Sequence, residues 1–225
     1  MVSHAFKLIM FDCDGTLVDS QHTIVASMAA AWRSLHLQEP DPAAVRRVVG
    51  LTLETAIAVL QPDADEPMLA KLAAAFRREA VAARQSDRFR EPLFPGILEA
   101  LDAIDGPGVV LGIATGKNMR GLCHTLEAHG LKDRFITLQT ADRAPSKPHP
   151  GMLHQAMAEI GVDPGSTVLV GDTSFDMEMA QNAGTAGIGA GWGYHEPLDL
   201  ARAGAGRVIL RPDELPTALA NYRER

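Results

Sequence analysis

Hydrophobic positions along this chain fall into short uninterrupted runs, separated by longer stretches in which apolar residues recur every three to four positions. Leu8 to Phe11 is a wholly apolar run halted by acidic and glycine residues, as expected of a strand buried on both faces and ending in a loop. Residues 109–114, 167–170 and 207–210 repeat the pattern, and weaker candidates stand at 135–138 and 186–188. Between them, segments 96–105, 118–130, 150–161 and 174–184 carry the spacing of amphipathic helices, with Pro164-Gly165 and Gly184 as stops. This alternation predicts an α/β fold: a doubly wound, Rossmann-like parallel sheet with sites beyond the carboxyl ends of its strands.

Residues 20–90 break the rhythm. They are rich in Ala, Leu, Arg and Glu, keep a helical period and show no convincing strand. Turn-like punctuation flanks them, Asp19-Ser20-Gln21 before and Glu91-Pro92-Leu93-Phe94-Pro95-Gly96 after. The expectation is an inserted helical cap domain at 20–90, with residues 1–19 and 91–225 forming the catalytic α/β core.

Composition narrows the functions open to such a fold. With 225 residues, 46% of them hydrophobic, the chain can bury a sizeable core. Its 21 Lys and Arg against 28 Asp and Glu give a formal net charge of -7, so no global basic field attracts nucleic acid or an anionic membrane. An anionic substrate then needs local capture. Two cysteines without paired spacing, no apolar leader in the first residues and no run of about 18 apolar residues point to the cytoplasm. Monomer and homodimer both remain open.

Chemistry-bearing residues gather at the ends of the expected strands. The first runs into Asp12-Cys13-Asp14-Gly15-Thr16, and alternation along an extended backbone puts both carboxylates on one side and Cys13 on the other. Two carboxylates sharing a cleft require a hard cation or a raised pKa. The second strand ends in Ala114-Thr115-Gly116-Lys117 before a helix, giving a hydroxyl and backbone N–H groups suited to phosphate. Lys147 lies in a loop with three prolines in six residues, Pro145 to Pro150, which stiffens the backbone carrying its ammonium. The fourth element is Gly171-Asp172-Thr173-Ser174-Phe175-Asp176, with Asp176 one helical turn beyond Asp172. Nucleophile, acid/base, hydroxyl, cation and metal ligands are together the inventory of phosphoryl transfer.

In order and spacing these segments resemble the four motifs of the haloacid dehalogenase superfamily, and the branch most similar is that of the phosphoglycolate phosphatases. The resemblance implies a phosphoric monoester hydrolase working through an aspartyl-phosphate on Asp12, with Asp14 as general acid and base. Thr115 and Gly116 would bind the phosphoryl group and Lys147 would neutralise it. Mg²⁺ would be held by Asp12, the backbone carbonyl of Asp14 and Asp172. Asp176 would support them from behind, either as a helix cap or as a partner of Lys147. The substrate implied is a small phosphorylated metabolite, phosphoglycolate first. The 46–52 segment, Arg46 to Thr52, lies where relatives place a loop that closes over substrate.

Three other readings compete. Dehalogenases and phosphonate hydrolases of the superfamily lack an aspartate at the position of Asp14. A β-phosphoglucomutase-like enzyme keeps both aspartates but tends to carry Val where this chain has Thr16. A receiver-like signalling domain would share the aspartates, hydroxyl and lysine, yet has no place for a 70-residue insertion or for the pair Asp172 and Asp176. Cys13 reads as a small core residue, and His149 and His195 as loop or surface residues. Lys117 and the 189–195 stretch are left without an assigned role.

Overall fold

The computed structural model describes residues 6–85 and 91–222. The first five residues, residues 86–90 at the expected far edge of the cap, and the last three lie outside the described residues. Six parallel strands form one sheet: β1 (Leu8–Phe11), β2 (Val110–Thr115), β3 (Thr137–Thr140), β4 (Thr167–Gly171), β5 (Ala186–Ala190) and β6 (Arg207–Ile209). Their order is β3-β2-β1-β4-β5-β6, the doubly wound arrangement in which strand order reverses between β1 and β4.

The apolar run of β1 is explained by its central place. Leu8 pairs with Val110 on one side and Thr167 on the other, so its residues meet protein in every direction. Ile9, Phe11 and Cys13 join one core cluster, with Ile97 and Leu101 of α5 (Ile97–Ile104), Leu122 and Leu126 of α6 (Met119–Ala128), and Leu215 and Leu219 of α10 (Leu215–Ala220). Leu8 and Met10 join a second cluster on the opposite face, with Met152 and Leu153 of α7 (Gly151–Ile160) and Met179 of α8 (Ser174–Asn182). This two-residue period is the signature of a sheet covered on both sides.

Of the two weaker strand candidates, 186–188 lies within β5, whereas 135–138 shifts in place. Residues 135–138 were expected to pair, whereas β3 occupies Thr137–Thr140, because Lys132–Arg134 forms a 3₁₀ turn and Phe135 turns into the core beside an exposed Ile136. Pairing begins only where Gly112 of β2 faces Thr137.

Four helices fill the insertion: α1 (Gln21–Ser34), α2 (Pro42–Arg47), α3 (Leu53–Leu60) and α4 (Glu66–Arg84). They have a core of their own, in which Met28, Trp32, Val45, Ile57 and Leu72 are buried, and the Trp32 indole N–H donates to Gln61 Oε1 at 2.9 Å. The chain crosses between cap and core twice, and the crossings run side by side. Asp19 N–H donates to Pro92 C=O (2.8 Å) and Phe94 N–H to Leu17 C=O (3.0 Å). α9 (Pro197–Arg202) packs over β5 and β6. Among the described residues no helix is long and apolar enough to cross a membrane.

Because Leu72 is wholly enclosed in the cap, Leu72→Ala is expected to cost about 2–5 kcal/mol. Val59→Ala, on the exposed face of α3, should stay within about 0.5 kcal/mol. Urea unfolding followed by tryptophan fluorescence and circular dichroism checks both.

Candidate active site

The carboxyl ends of β1 and β4 flank the point of strand reversal, and each delivers an aspartate there. Asp12 follows β1 and Asp172 follows β4, while α8 begins within the same loop and brings in Asp176. Among the described residues, Asp12, Asp172 and Asp176 form the cluster able to hold a metal ion, with one oxygen from each within 4.8 Å of the others, all buried.

The loop of α8 is fixed by reciprocal capping. The Thr173 hydroxyl accepts from Asp176 N–H, and Asp176 Oδ2 accepts from Thr173 N–H (3.1 Å) and from its hydroxyl (2.7 Å). Capping of this kind satisfies the unpaired amides of a first turn. The other oxygen, Asp176 Oδ1, accepts from Lys147 Nζ at 2.6 Å, and the same ammonium donates to Asp12 Oδ1 at 2.7 Å. Asp176 thus both caps its helix and pairs with Lys147. The peptide between Lys147 and Pro148 is cis.

Asp172 is clamped from two sides: Thr16 Oγ1 donates to Oδ1 (2.8 Å) and Tyr194 N–H to Oδ2 (2.9 Å). Gly15, at φ +92, passes so near this carboxylate that a Cβ there would collide with it. The backbone therefore needs glycine on both steric and conformational grounds.

Burial pushes the Asp12 carboxyl up to about 7, with Lys147 opposing the shift and the nearby carboxylates of Asp176 and Asp14 adding to it. Burial likewise raises Asp172 well above the ordinary carboxylate range, and Asp12 and Asp176 add to that. Burial works against the Lys147 ammonium, but Asp12 and Asp176 outweigh it and hold its pKa above the usual lysine value. When all three carboxylates are ionised, the single Lys147 ammonium leaves two negative charges uncompensated. Asp12 Oδ2 is buried and, among the described residues, has no hydrogen-bond partner. An all-oxygen set with excess negative charge and an unengaged lone pair fits a hard divalent cation.

Asp14 stands apart from that cluster, 7% exposed and facing the cavity between cap and core, which Asp12 does not line. Asp14 Oδ1 takes an ion pair from Lys117 Nζ (2.8 Å) and a short hydrogen bond from Ser20 Oγ. Lys117 also reaches Glu91 (3.5 Å), whose second oxygen accepts from Thr125 Oγ1 (3.0 Å). Cys13 turns away into the core, where burial and then the Asp14 charge raise its pKa well above the ordinary thiol value.

Thr115 ends β2 fully buried, its Oγ1 accepting from Lys117 N–H at 3.2 Å, so the hydroxyl hydrogen remains free to donate. Gly116 lines the cavity beneath the cap segment, and a Cβ on it would strike the Leu51 carbonyl oxygen and lie 2.8 Å from that of Gly50. Thr52 N–H donates to Ser146 Oγ at 2.9 Å. The 46–52 segment thus rests on the loops bearing Gly116 and Lys147.

Several site residues carry no sequence signal strong enough to identify them. Ser20 N–H donates to the Tyr194 hydroxyl (2.9 Å), and Tyr194 donates its own N–H to Asp172, so one residue of the 189–195 loop ties the hinge to the metal-ligand candidates. His195 Nδ1 accepts from Ser174 N–H (3.1 Å), which leaves the ring hydrogen on Nε2 to donate to Arg47 C=O of the cap (3.2 Å). His149 stays local, accepting from Gly151 N–H.

Residues 9–190 match the model of a family described as haloacid dehalogenase-like hydrolases. The chain belongs to that family. It is 38% identical over 208 residues to a probable phosphatase, IndB, of Dickeya dadantii, covering 90% of this chain and 88% of the relative. It is 31% identical to a phosphoglycolate phosphatase of Vibrio vulnificus (88% and 90% covered) and 32% identical to an N-acetylmuramic acid 6-phosphate phosphatase of Pseudomonas aeruginosa (93% and 92%). The fold superposes on the crystal structure of a predicted phosphoglycolate phosphatase from Haemophilus somnus 129pt with a TM-score of 0.84, at 23% identity, covering 95% and 97% of the two chains. This haloacid dehalogenase-like protein is a phosphoric monoester hydrolase.

Two outcomes test this electrostatic account. Lys147→Met leaves buried carboxylates without their counter-charge and is expected to destabilise the metal-free protein by about 3–5 kcal/mol, measured by urea unfolding in chelator. Asp12, raised to about 7 when folded from 3.8 when unfolded, keeps its proton in the folded state through that window. Its contribution to stability is therefore lost as pH rises from about 4 to 7. Asp12→Asn should become progressively more stable than the metal-free wild type over that interval, and thermal unfolding at stepped pH reads the difference.

Proposed function

We propose that the enzyme hydrolyses small phosphomonoesters with Mg²⁺ through a phosphoryl group carried on Asp12. The observation that carries the reading is the unengaged Asp12 Oδ2 inside a buried, net-negative carboxylate cluster, beside a lysine already in contact with it. Asp12, the backbone carbonyl of Asp14, and Asp172 would hold the cation, with Asp176 positioning Lys147 and capping its helix. When bound, the cation supplies charge neutralisation that lets a dianionic ester approach a carboxylate.

The residues of the chain divide the remaining work. Asp12 attacks phosphorus, forming a new O–P bond as the ester O–P bond breaks. The leaving oxygen takes a proton from Asp14, which stands at the cavity mouth with Lys117 and Ser20 fixing its orientation. Water then attacks the aspartyl-phosphate and gives its proton to Asp14, which restores the Asp12 carboxylate and releases phosphate. Thr115 donates its hydroxyl hydrogen to a phosphoryl oxygen, Gly116 offers backbone room for it, and Lys147 offsets its charge. The Thr16 hydroxyl bond to Asp172 gives that residue a purpose a valine could not serve, which favours the phosphatase over the mutase reading. Phosphoglycolate and larger phosphorylated metabolites share this phosphoryl chemistry and differ only in the group that leaves.

Inorganic phosphate release from a phosphomonoester panel tests the reading. Chelator, or Asp12→Asn, is expected to lower kcat/KM by at least ~10³-fold. Asp14→Asn should lower it by about 10²–10⁴-fold. Turnover indifferent to both metal and Asp12 would overturn the mechanism.

A further inference from the structure

The cap and core enclose a cavity of about 450 Å³ reaching from Asp14 and Gly116 into the helical insertion. That size is within the range of pockets, about 300–1,000 Å³, that enclose ligands far bulkier than a two-carbon acid. Its two ends differ sharply. Beside the expected ester oxygen stand Asp14, Glu91 and Lys117, two carboxylates sharing one ammonium. Burial opposes the Lys117 charge, but Asp14 and Glu91 outweigh it and keep the ammonium protonated. A further carboxylate one carbon away from the ester oxygen would meet net negative charge there, with Lys117 already engaged.

Beyond that point the walls come mainly from the cap and carry an apolar face formed by Ile24 and Met28 of α1, Val45 of α2, Val49, and Phe76 and Ala80 of α4. Met28, Val45, Val49 and Ala80 are buried, so their hydrophobic side chains reach the cavity without being open to bulk water. Three arginines also line it: Arg77, which is exposed and pairs with Glu54, Arg84 at the end of α4, and Arg120 of α6. A small, wholly charged leaving group would leave this apolar surface unfilled.

We infer that the enzyme's substrates are phosphomonoesters of a ring-sized alcohol, uncharged beside the ester oxygen and presenting an apolar face to α1 and α4. The inference rests on the phosphatase reading and specifies its leaving group. It sets phosphoglycolate aside as the preferred substrate. Specificity then resides in cap residues that touch no phosphoryl oxygen, with Ala80 and Val81 controlling the width of the cavity.

The test is an alkyl ester series, phosphoglycolate, ethyl phosphate and benzyl phosphate, assayed by phosphate release with Mg²⁺ on the full chain. Benzyl phosphate is expected to exceed ethyl phosphate in kcat/KM by about tenfold or more, with phosphoglycolate below both. Ala80→Leu and Val81→Phe, each narrowing the cavity, are expected to lower the benzyl-to-ethyl ratio through KM by about tenfold. Either variant suffices if the other does not fold. Preference for phosphoglycolate, equal rates on ethyl and benzyl esters, or variants that leave the ratio unchanged would overturn the inference while metal-dependent turnover kept the phosphatase reading intact. No metal-dependent release from any ester would remove both.

Discussion

The structure turns on the burial of three carboxylates around a single lysine at the point where the sheet reverses its strand order. Asp12, Asp172 and Asp176 converge there, and Lys147 bridges two of them from a loop of its own. Placing like charges together in a low-dielectric interior is unfavourable unless countercharge is present, so the fold maintains a site that is electrostatically unfinished. Such a cluster fits a divalent cation, as the proposed mechanism requires. The stability forgone at these residues is the basis of the chemistry performed there.

Around that centre, the fold converts distant segments into one electrostatic network. Tyr194 links the Asp172 carboxylate to the hinge through Ser20, and Ser20 reaches Asp14, so the candidate metal ligands, the candidate acid and the first crossing into the cap are mechanically continuous. The cap closes on the core through backbone contacts. Gly50 and Leu51 lie over Gly116, Thr52 binds Ser146, and Arg47 accepts from His195. The cap helices keep a hydrophobic core of their own, apart from the clusters on the two faces of the sheet.

Division of labour follows from this geometry. In the proposed mechanism the core would supply the groups that recognise phosphorus and the cap the walls that recognise what leaves. Asp14 stands at the boundary of the two, lining the cavity, while its neighbour Asp12 is fully buried. A proton donor to the leaving group has to touch the cavity, whereas a nucleophile gains from desolvation and from a fixed partner such as Lys147.

Much of this was legible in the sequence because it depends on local periodicity. The uninterrupted run at Leu8–Phe11 can only be a strand covered on both faces, and the two-residue period from Ile9 to Cys13 already sends the thiol into the core and the aspartates to the other side. Helical spacing after Ser20 likewise corresponds to the four helices between Gln21 and Arg84, and the acidic residues at strand ends announced phosphoryl chemistry. Other features were not local. The pairing of Lys117 with Glu91, the reach of Tyr194 to Ser20, and the bridge from His195 to Arg47 join residues 26, 174 and 148 positions apart. No periodicity encodes such meetings; they exist only once the sheet has set the loops side by side. Residues 135–138 show the same limit on a smaller scale, since strand pairing there begins where the partner Gly112 permits it. The sequence by itself determined the layers, the strand ends and the chemical character of the groups they carry, because side-chain period and polarity are properties of neighbouring residues. Only the tertiary structure decided that Asp14 lines a cavity beneath the cap, and that one side of that cavity is apolar and the other charged, because burial depends on which distant surfaces close over a residue.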